Sequence, residues 1–357
     1  MNARAEQLIV ALPEAGADVL LVSELVNLRY LTGYTGTNGL ALIGPQTRTF
    51  ITDFRYVEQA AEEVDASFER VRASQDLLDA VEAALPDGPV RLGFESAHVS
   101  VREHGLLRGL LPERVSLVGI DGAVERLRAV KNADEVARIR AATELADAAF
   151  EQVLGEGFVG RTEREVALSL ELAIRERGAE GPSFETIVAS GPHGALPHAK
   201  PRPERIGRDQ MVVVDWGARL DGYCSDCTRT IATGQPSAVV QDVYELVLEA
   251  QLAGRAAVRA GADARAVDGV ARAVIDASGH GEHFGHGLGH GVGLDIHEAP
   301  RLSQRSSDEL RAGNVVTVEP GIYLPGCFGV RIEDLVVVSE DGCEVLTSVG
   351  KGLTVAD

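Results

Sequence analysis

Four carboxylates stand where a soluble chain has little reason to carry them. Asp215 closes the apolar run MVVVD, Asp226 lies in CSDCTRT, Glu319 ends VVTVE, and Glu333 sits inside VRIEDLVVV. Each run reads as a buried strand, and an ionised group in a strand interior is strongly unfavourable unless a cation answers it. A turn at Asp221-Gly222 predicts that MVVVD folds back on CSDCTRT, which sets Asp226 on the same sheet face as Asp215 and diagonal to it. Two like charges so placed repel unless metal neutralises them.

Histidines add a second signal. Seven of the nine lie between 193 and 297, under a third of the chain. Any one of them, taken alone, reads as a hydrogen-bonded core residue. Beside the acids, His290 reads differently, since it lies in FGHGLGHGVGLDIHE, whose glycines exclude a stable helix and would let the backbone wrap closely around an ion or substrate. One neutral imidazole with four carboxylates is a hard, oxygen-rich donor set suited to two divalent ions. His193, His280 and His283 have no chemical role by this reasoning and are expected to be structural or solvent-facing.

The elements that must hold these groups fall into two sections, as a chain of 357 residues leads one to expect. Residues 2–125 alternate short apolar runs (ADVLLV, GLALIG, RTFITD, VRLGFE) with helix-like stretches near 54–63 and 75–84, predicting a small α/β domain. Beyond a boundary near Leu127, Asn132-Ala-Asp-Glu135 and Thr162-Glu-Arg-Glu165 are capping boxes that open helices, and further helices are expected from Ser237 and Asp263. Between them the acid-bearing strands predict helices packed on a mainly antiparallel sheet.

Composition removes other classes. A formal charge of −20 opposes binding to nucleic acid or anionic membranes. The opening MNARAEQLIVALPEAG has neither a basic start nor a long apolar run, so a cytoplasmic protein is expected. Four cysteines make no disulfide framework, and the CxxC of Cys224 and Cys227 lacks the second half of a zinc site, so structural thiols are expected.

The ordered set Asp215, Asp226, His290, Glu319 and Glu333, in VDWGA, YCSDCTRT, HGLGHGVGLDIHE, TVEPGIY and VRIED, resembles the metallopeptidases that include aminopeptidase P, prolidase and methionine aminopeptidase. NLRYLTGYTGTNGLALIG and TDFRYVEQA resemble a creatinase-type N-terminal domain, whereas methionine aminopeptidases look like the catalytic half alone and creatinase lacks the metal ligands. The resemblance implies an α+β architecture: a pita-bread catalytic domain over 127–357, preceded by a creatinase-type α/β domain over 1–126.

It further implies that Asp215 chelates one ion, Asp226 and Glu333 bridge two, and His290 and Glu319 bind the other, with manganese as the family default and zinc or cobalt acceptable. Glu319 would shuttle the proton, His198 and His297 would stabilise the oxyanion and leaving nitrogen, and His286 would line the proline pocket. Arg331 would contact substrate or pair with a ligand carboxylate. The substrate implied is a peptide with proline in second position, cleaved by a cytoplasmic homodimer. An Xaa-Pro aminopeptidase is the favoured reading, an Xaa-Pro dipeptidase (prolidase) the alternative, and a non-catalytic peptide-binding module a remote third.

Overall fold

The structure is a computed structural model that describes residues 2–356. It divides into two compact units, Met1–Arg128 and Ala129–Asp357. No helix among the described residues is long and apolar enough to cross a membrane.

The first unit is built on a six-stranded mixed sheet in the order β4-β3-β2-β1-β5-β6. Its strands are β1 (Val19–Val22), β2 (Leu40–Gly44), β3 (Thr47–Thr52), β4 (Glu69–Arg72), β5 (Val90–Glu95) and β6 (Val115–Ile120). The apolar runs supply its core, with Val19, Leu21, Leu42, Ile51 and Leu92 all buried. The helices are α1 (Ala3–Ala11), α2 (Leu25–Thr32), α3 (Val57–Glu63), α4 (Val101–Leu110) and α5 (Ala123–Ala129).

The helix expected over 75–84 is instead two short 3₁₀ turns, Leu77–Ala80 and Glu82–Ala84. Reciprocal capping contacts between Asp76 and Asp79 draw the first turn tight. Pro86 follows closely, leaving room only for i→i+3 bonds such as Val81 N–H to Leu78 O at 3.1 Å.

In the second unit every expected cap is formed. Asn132 Oδ1 accepts from the Glu135 amide at 3.0 Å while the Glu135 carboxylate accepts from the Asn132 amide at 2.9 Å, opening α6 (Ala133–Gly155). Thr162 and Glu165 do the same for α7 (Glu163–Glu176), and Ser237 and Asp263 cap α8 (Ala238–Ala257) and α9 (Ala264–Ala277).

These helices cover antiparallel sheets. One has the order β12-β9-β8 and its neighbour β11-β10-β7, built from β7 (Gly181–Pro182), β8 (Ile187–Ser190), β9 (Gln210–Trp216), β10 (Ala218–Leu220), β11 (Tyr223–Cys224) and β12 (Cys227–Thr233). Another has the order β14-β13-β15-β18-β19, from β13 (Gly289–Gly291), β14 (Glu298–Leu302), β15 (Val315–Val318), β18 (Asp334–Val338) and β19 (Cys343–Val345). Beside it lies the hairpin β16 (Gly321–Leu324) and β17 (Phe328–Arg331).

Strand alternation decides which side chains meet the helices. In β9, Val212, Val214 and Trp216 join Phe150, Leu170 and Ile174 of α6 and α7 in one core. Trp216 stacks on Phe150 with ring centroids 3.9 Å apart, and its indole N–H donates to Ala146 O at 3.0 Å. Asp215 therefore points to the opposite face. In β15, Val316 and Val318 pack with Val247, Ala271 and Ile275 of α8 and α9, which sends Thr317 and then Glu319 the other way. Val336 and Val338 of β18 join the same core, so Glu333 shares the face opposite to it.

Candidate metal centre and substrate cavity

The turn at Asp221-Gly222 forms as expected, with φ of 48° and 80° at the two residues. Both positive values suit a type I′ hairpin, where glycine carries no steric cost. The ladder breaks at Gly217 and at Ser225–Asp226, but the pairing resumes in the same register at Cys227–Trp216 and Thr228–Asp215, so Asp226 falls diagonal to Asp215.

One oxygen from each of Asp215, Asp226 and Glu333 lies within 4.8 Å of the others. The remaining two candidates join them: His290 Nε2 is 3.5 Å from Asp226 Oδ2 and 3.3 Å from Glu319 Oε1. His290 Nδ1 faces Gly291 O at 3.1 Å, and a carbonyl can only accept, so Nδ1 carries the proton. Nε2 is thereby turned toward two acids. Thr228 Oγ1 donates to Glu333 at 2.7 Å, and Thr317 Oγ1 to Glu319 at 3.1 Å.

The electrostatics ask for a cation. Burial, and then the charges of Glu333 and Asp215, push the Asp226 carboxyl well above its ordinary range. Burial, and then Glu319 and Asp215, do the same to Glu333, and burial outweighs the pull of Arg331 to raise Asp215. Glu319 moves the other way: burial opposes ionisation, but the hydrogen bond and charge of His290 prevail and hold it near 2. Asp215 Oδ1 and Glu333 Oε1 are buried without any hydrogen-bond partner. Each such oxygen costs about 1–3 kcal/mol or more when charged. Four acids, one imidazole turned toward two of them through Nε2, and two buried oxygens without hydrogen-bond partners fit divalent metal ions.

The glycines near His290 also serve the packing of the sheet. A Cβ on Gly289 would fall 2.0 Å from Thr317 O, and one on Gly291 2.3 Å from Ala299 O. They let β13 sit against its neighbouring backbone, and so hold His290 in place, while Gly287 and Gly289 also border the cavity described next.

The centre opens into a cavity of about 650 Å³, lined by His198, His286, His297, Ile296, Phe184 and Arg301 among others. His297 packs edge-on against His290, centroids 4.4 Å apart, and burial, then the neighbouring His290, lowers its pKa to about 4. His286 is likewise lowered by burial. Its Nδ1 donates to Gly287 O at 2.8 Å, leaving Nε2 to accept from the Tyr323 hydroxyl at 2.9 Å. Tyr323 in turn accepts from Arg331, which also donates to Thr228, Pro197 O and Asp215. With its guanidinium so engaged and only 3% exposed, Arg331 acts on the acids.

Several participants were not singled out in the sequence. Tyr323 links His286 to Arg331, Thr228 braces Glu333, and Arg301 is the strand partner of His290 across β13 and β14. The Arg301 guanidinium has no hydrogen bond or ion pair among the described residues. The one signal for Arg301 lay in its place four residues after His297. Cys224 and Cys227 are free, buried thiols, and burial raises Cys224 to about 11. His280 and His283 contact each other, with Nδ1 atoms 3.4 Å apart, and His193 is buried against Glu163.

Residues 137–340 match metallopeptidase family M24, and residues 4–130 match the creatinase/prolidase N-terminal domain. The chain belongs to metallopeptidase family M24, with the pita-bread fold of its structural neighbours. It is 36% identical to an Xaa-Pro dipeptidase of Pyrococcus furiosus over 356 residues, covering 99% of this chain and 100% of the relative. Among solved structures it resembles an Xaa-Pro dipeptidase from Bacillus anthracis (41% identity, TM-score 0.95, 99% of both chains covered). It also resembles an X-Pro aminopeptidase from Thermotoga maritima (39% identity, TM-score 0.90, 99% and 100% covered).

Proposed function

We propose that the chain is a two-metal Xaa-Pro dipeptidase, hydrolysing dipeptides whose second residue is proline. This reverses the order reached from sequence, where the aminopeptidase was placed first. Full-length relatives named Xaa-Pro dipeptidase support the change, and the likeness to an X-Pro aminopeptidase keeps cleavage of longer peptides as the second reading.

The observation that carries the proposal is Arg301, opposite His290 and lining the cavity with an uncommitted guanidinium. A dipeptide presents a carboxylate one residue from the scissile bond, and arginine binds carboxylates through two parallel hydrogen bonds. A longer peptide has an amide there and gains nothing from the charge.

In this reading Asp215, Asp226, His290, Glu319 and Glu333 would hold two divalent ions, manganese, zinc or cobalt, with Asp226 and Glu333 shared. When bound, such ions polarise the scissile carbonyl and make water a stronger nucleophile near neutral pH. Glu319 takes a proton from the attacking water on one carboxylate oxygen and delivers it to the proline nitrogen. His297, kept neutral by burial, donates a hydrogen bond to the oxygen that becomes negative, and His198, which lines the same cavity, does so too. His286, fixed by Gly287 and Tyr323, borders the proline ring. An Xaa-Pro nitrogen has no N–H, so a peptidase that grips extended backbone handles it badly and shape complementarity must replace that contact.

The test is hydrolysis of an Xaa-Pro dipeptide against Xaa-Pro-Yaa tripeptides with manganese, zinc or cobalt. A dipeptide preference supports the reading, as does a KM increase of about 10-fold or more for the dipeptide alone in Arg301→Ala, the value of a charged hydrogen bond. Equal or better turnover of tripeptides sinks it. A homodimer is part of the same proposal, checked by a light-scattering mass twice that of the 37.8 kDa chain.

A further inference from the structure

Glu163 is completely buried, and nothing in the proposed chemistry uses it. It is the first residue of α7, where the helix N-terminus favours an anion. A buried carboxylate must collect donors, and it takes them from one stretch of chain. The Ser190 amide lies at 2.8 Å and its hydroxyl at 2.9 Å, His193 Nδ1 at 2.9 Å, the Arg202 amide at 2.9 Å, and Arg202 Nε at 3.4 Å.

Ser190 ends β8, His193 sits in the 3₁₀ turn Gly191–Ala195, and Arg202 lies beyond Pro201. One carboxylate therefore pinches together both ends of the loop 190–202, and His198 sits between them. His198 is exposed and makes no hydrogen bond among the described residues, so its own side chain does nothing to fix its place. The loop is held a second time at Pro197, whose carbonyl accepts from Arg331 at 3.1 Å.

We propose that Glu163 is a positioning residue for His198: by gathering Ser190, His193 and Arg202 it sets the height of the loop over the cavity. This rests on the role given to His198 above. It also assigns a purpose to His193, which donates to the clamp and does not face the substrate cavity. A group that acts through geometry lowers kcat when lost, because a side chain displaced by about 1 Å can forfeit up to about 100-fold in rate. It leaves KM and bound metal alone, since Glu163 touches neither.

A double-mutant cycle separates this from a role in folding alone. Glu163→Gln keeps the size but turns one acceptor oxygen into a donor that must face another donor. On an Xaa-Pro dipeptide, kcat is expected to fall about 10- to 100-fold in Glu163→Gln, with metal content and KM near wild type. In a His198→Ala background the same change should cost less than about two-fold, the margin within which independent effects add. An equal loss in both backgrounds, or loss of metal with Glu163→Gln, overturns the inference. A His198→Ala enzyme with wild-type kcat overturns the reading of His198, and this inference with it. Should Glu163→Gln not fold, His193→Ala gives the same comparison while Glu163 keeps its other donors.

Discussion

Arg331 donates to Asp215 Oδ2 across 2.6 Å, with only 4% of the arginine side chain exposed. The same guanidinium reaches Thr228 and Tyr323, each of which braces another residue of the site, Glu333 and His286 respectively. One cation thus sets the orientation of an acid, a hydroxyl and, through Tyr323, an imidazole. Lysine has no planar fork with which to do this.

Arg331→Lys should therefore cut activity by about 10- to 100-fold, the usual effect of disturbing groups that orient metal ligands. Metal titration and dipeptide hydrolysis on the purified variant check it. Activity within a factor of about two of wild type would mean that Asp215 needs no such partner.

The histidines of the cavity and the carboxylates of the centre should separate cleanly. His198→Ala and His297→Ala are expected to keep their metal and lose about 100-fold or more in turnover, as for loss of one oxyanion donor. Asp226→Ala removes an acid from the carboxylate cluster proposed to hold the ions, so bound metal and melting temperature should fall with activity. Metal analysis, a melting curve and a dipeptide assay on all three decide it. Histidine variants that lose metal would have to be ligands.

Removing metal should also make stability fall as pH rises. In the metal-free protein Asp215, Asp226 and Glu333 have pKa values raised above their ordinary 3.8 and 4.5. The folded state then holds more protons than the unfolded one, and stability falls as pH rises from about 4 through those raised values. Glu319, held near 2, acts in the opposite sense only below that window. Denaturant melts of chelator-treated protein from pH 5 to 8 should show decreasing stability, a trend that added manganese removes. A flat profile without metal would contradict the repulsion.

Cys224 and Cys227 are buried with raised thiol pKa values, while Cys327 is exposed. A thiol reagent should label Cys327 first and leave Cys224 and Cys227 untouched until the protein unfolds. Early labelling of either, read by mass spectrometry, would contradict the structural role expected for the CxxC.

The acids could be read from sequence because each breaks an apolar period that has one structural meaning, and a charge in such a place must be explained. The Asp221-Gly222 turn was legible for a related reason, since few residues tolerate two successive positive φ angles. Tyr323, Arg301 and Glu163 were not. A tyrosine in a hairpin strand, an arginine on the exposed side of a strand and an acid in a capping sequence are all ordinary there. Their meaning comes from partners distant in the chain, as when Glu163 meets Arg202. The stretch 75–84 failed because side-chain spacing does not distinguish an α-helix from two tight turns when only ten residues are available.

The close fit of Gly289 and Gly291 against Thr317 and Ala299 bears on how this enzyme can be altered. Substitution there collides with main chain that has nowhere to move, so inactivation at these positions reports broken scaffolding and says nothing about chemistry. Selection for new substrates is accordingly channelled toward side chains that border open space, Ile296, Phe184 and Arg301. Laboratory evolution that randomises the whole glycine-rich segment would spend most of its library on proteins that never assemble.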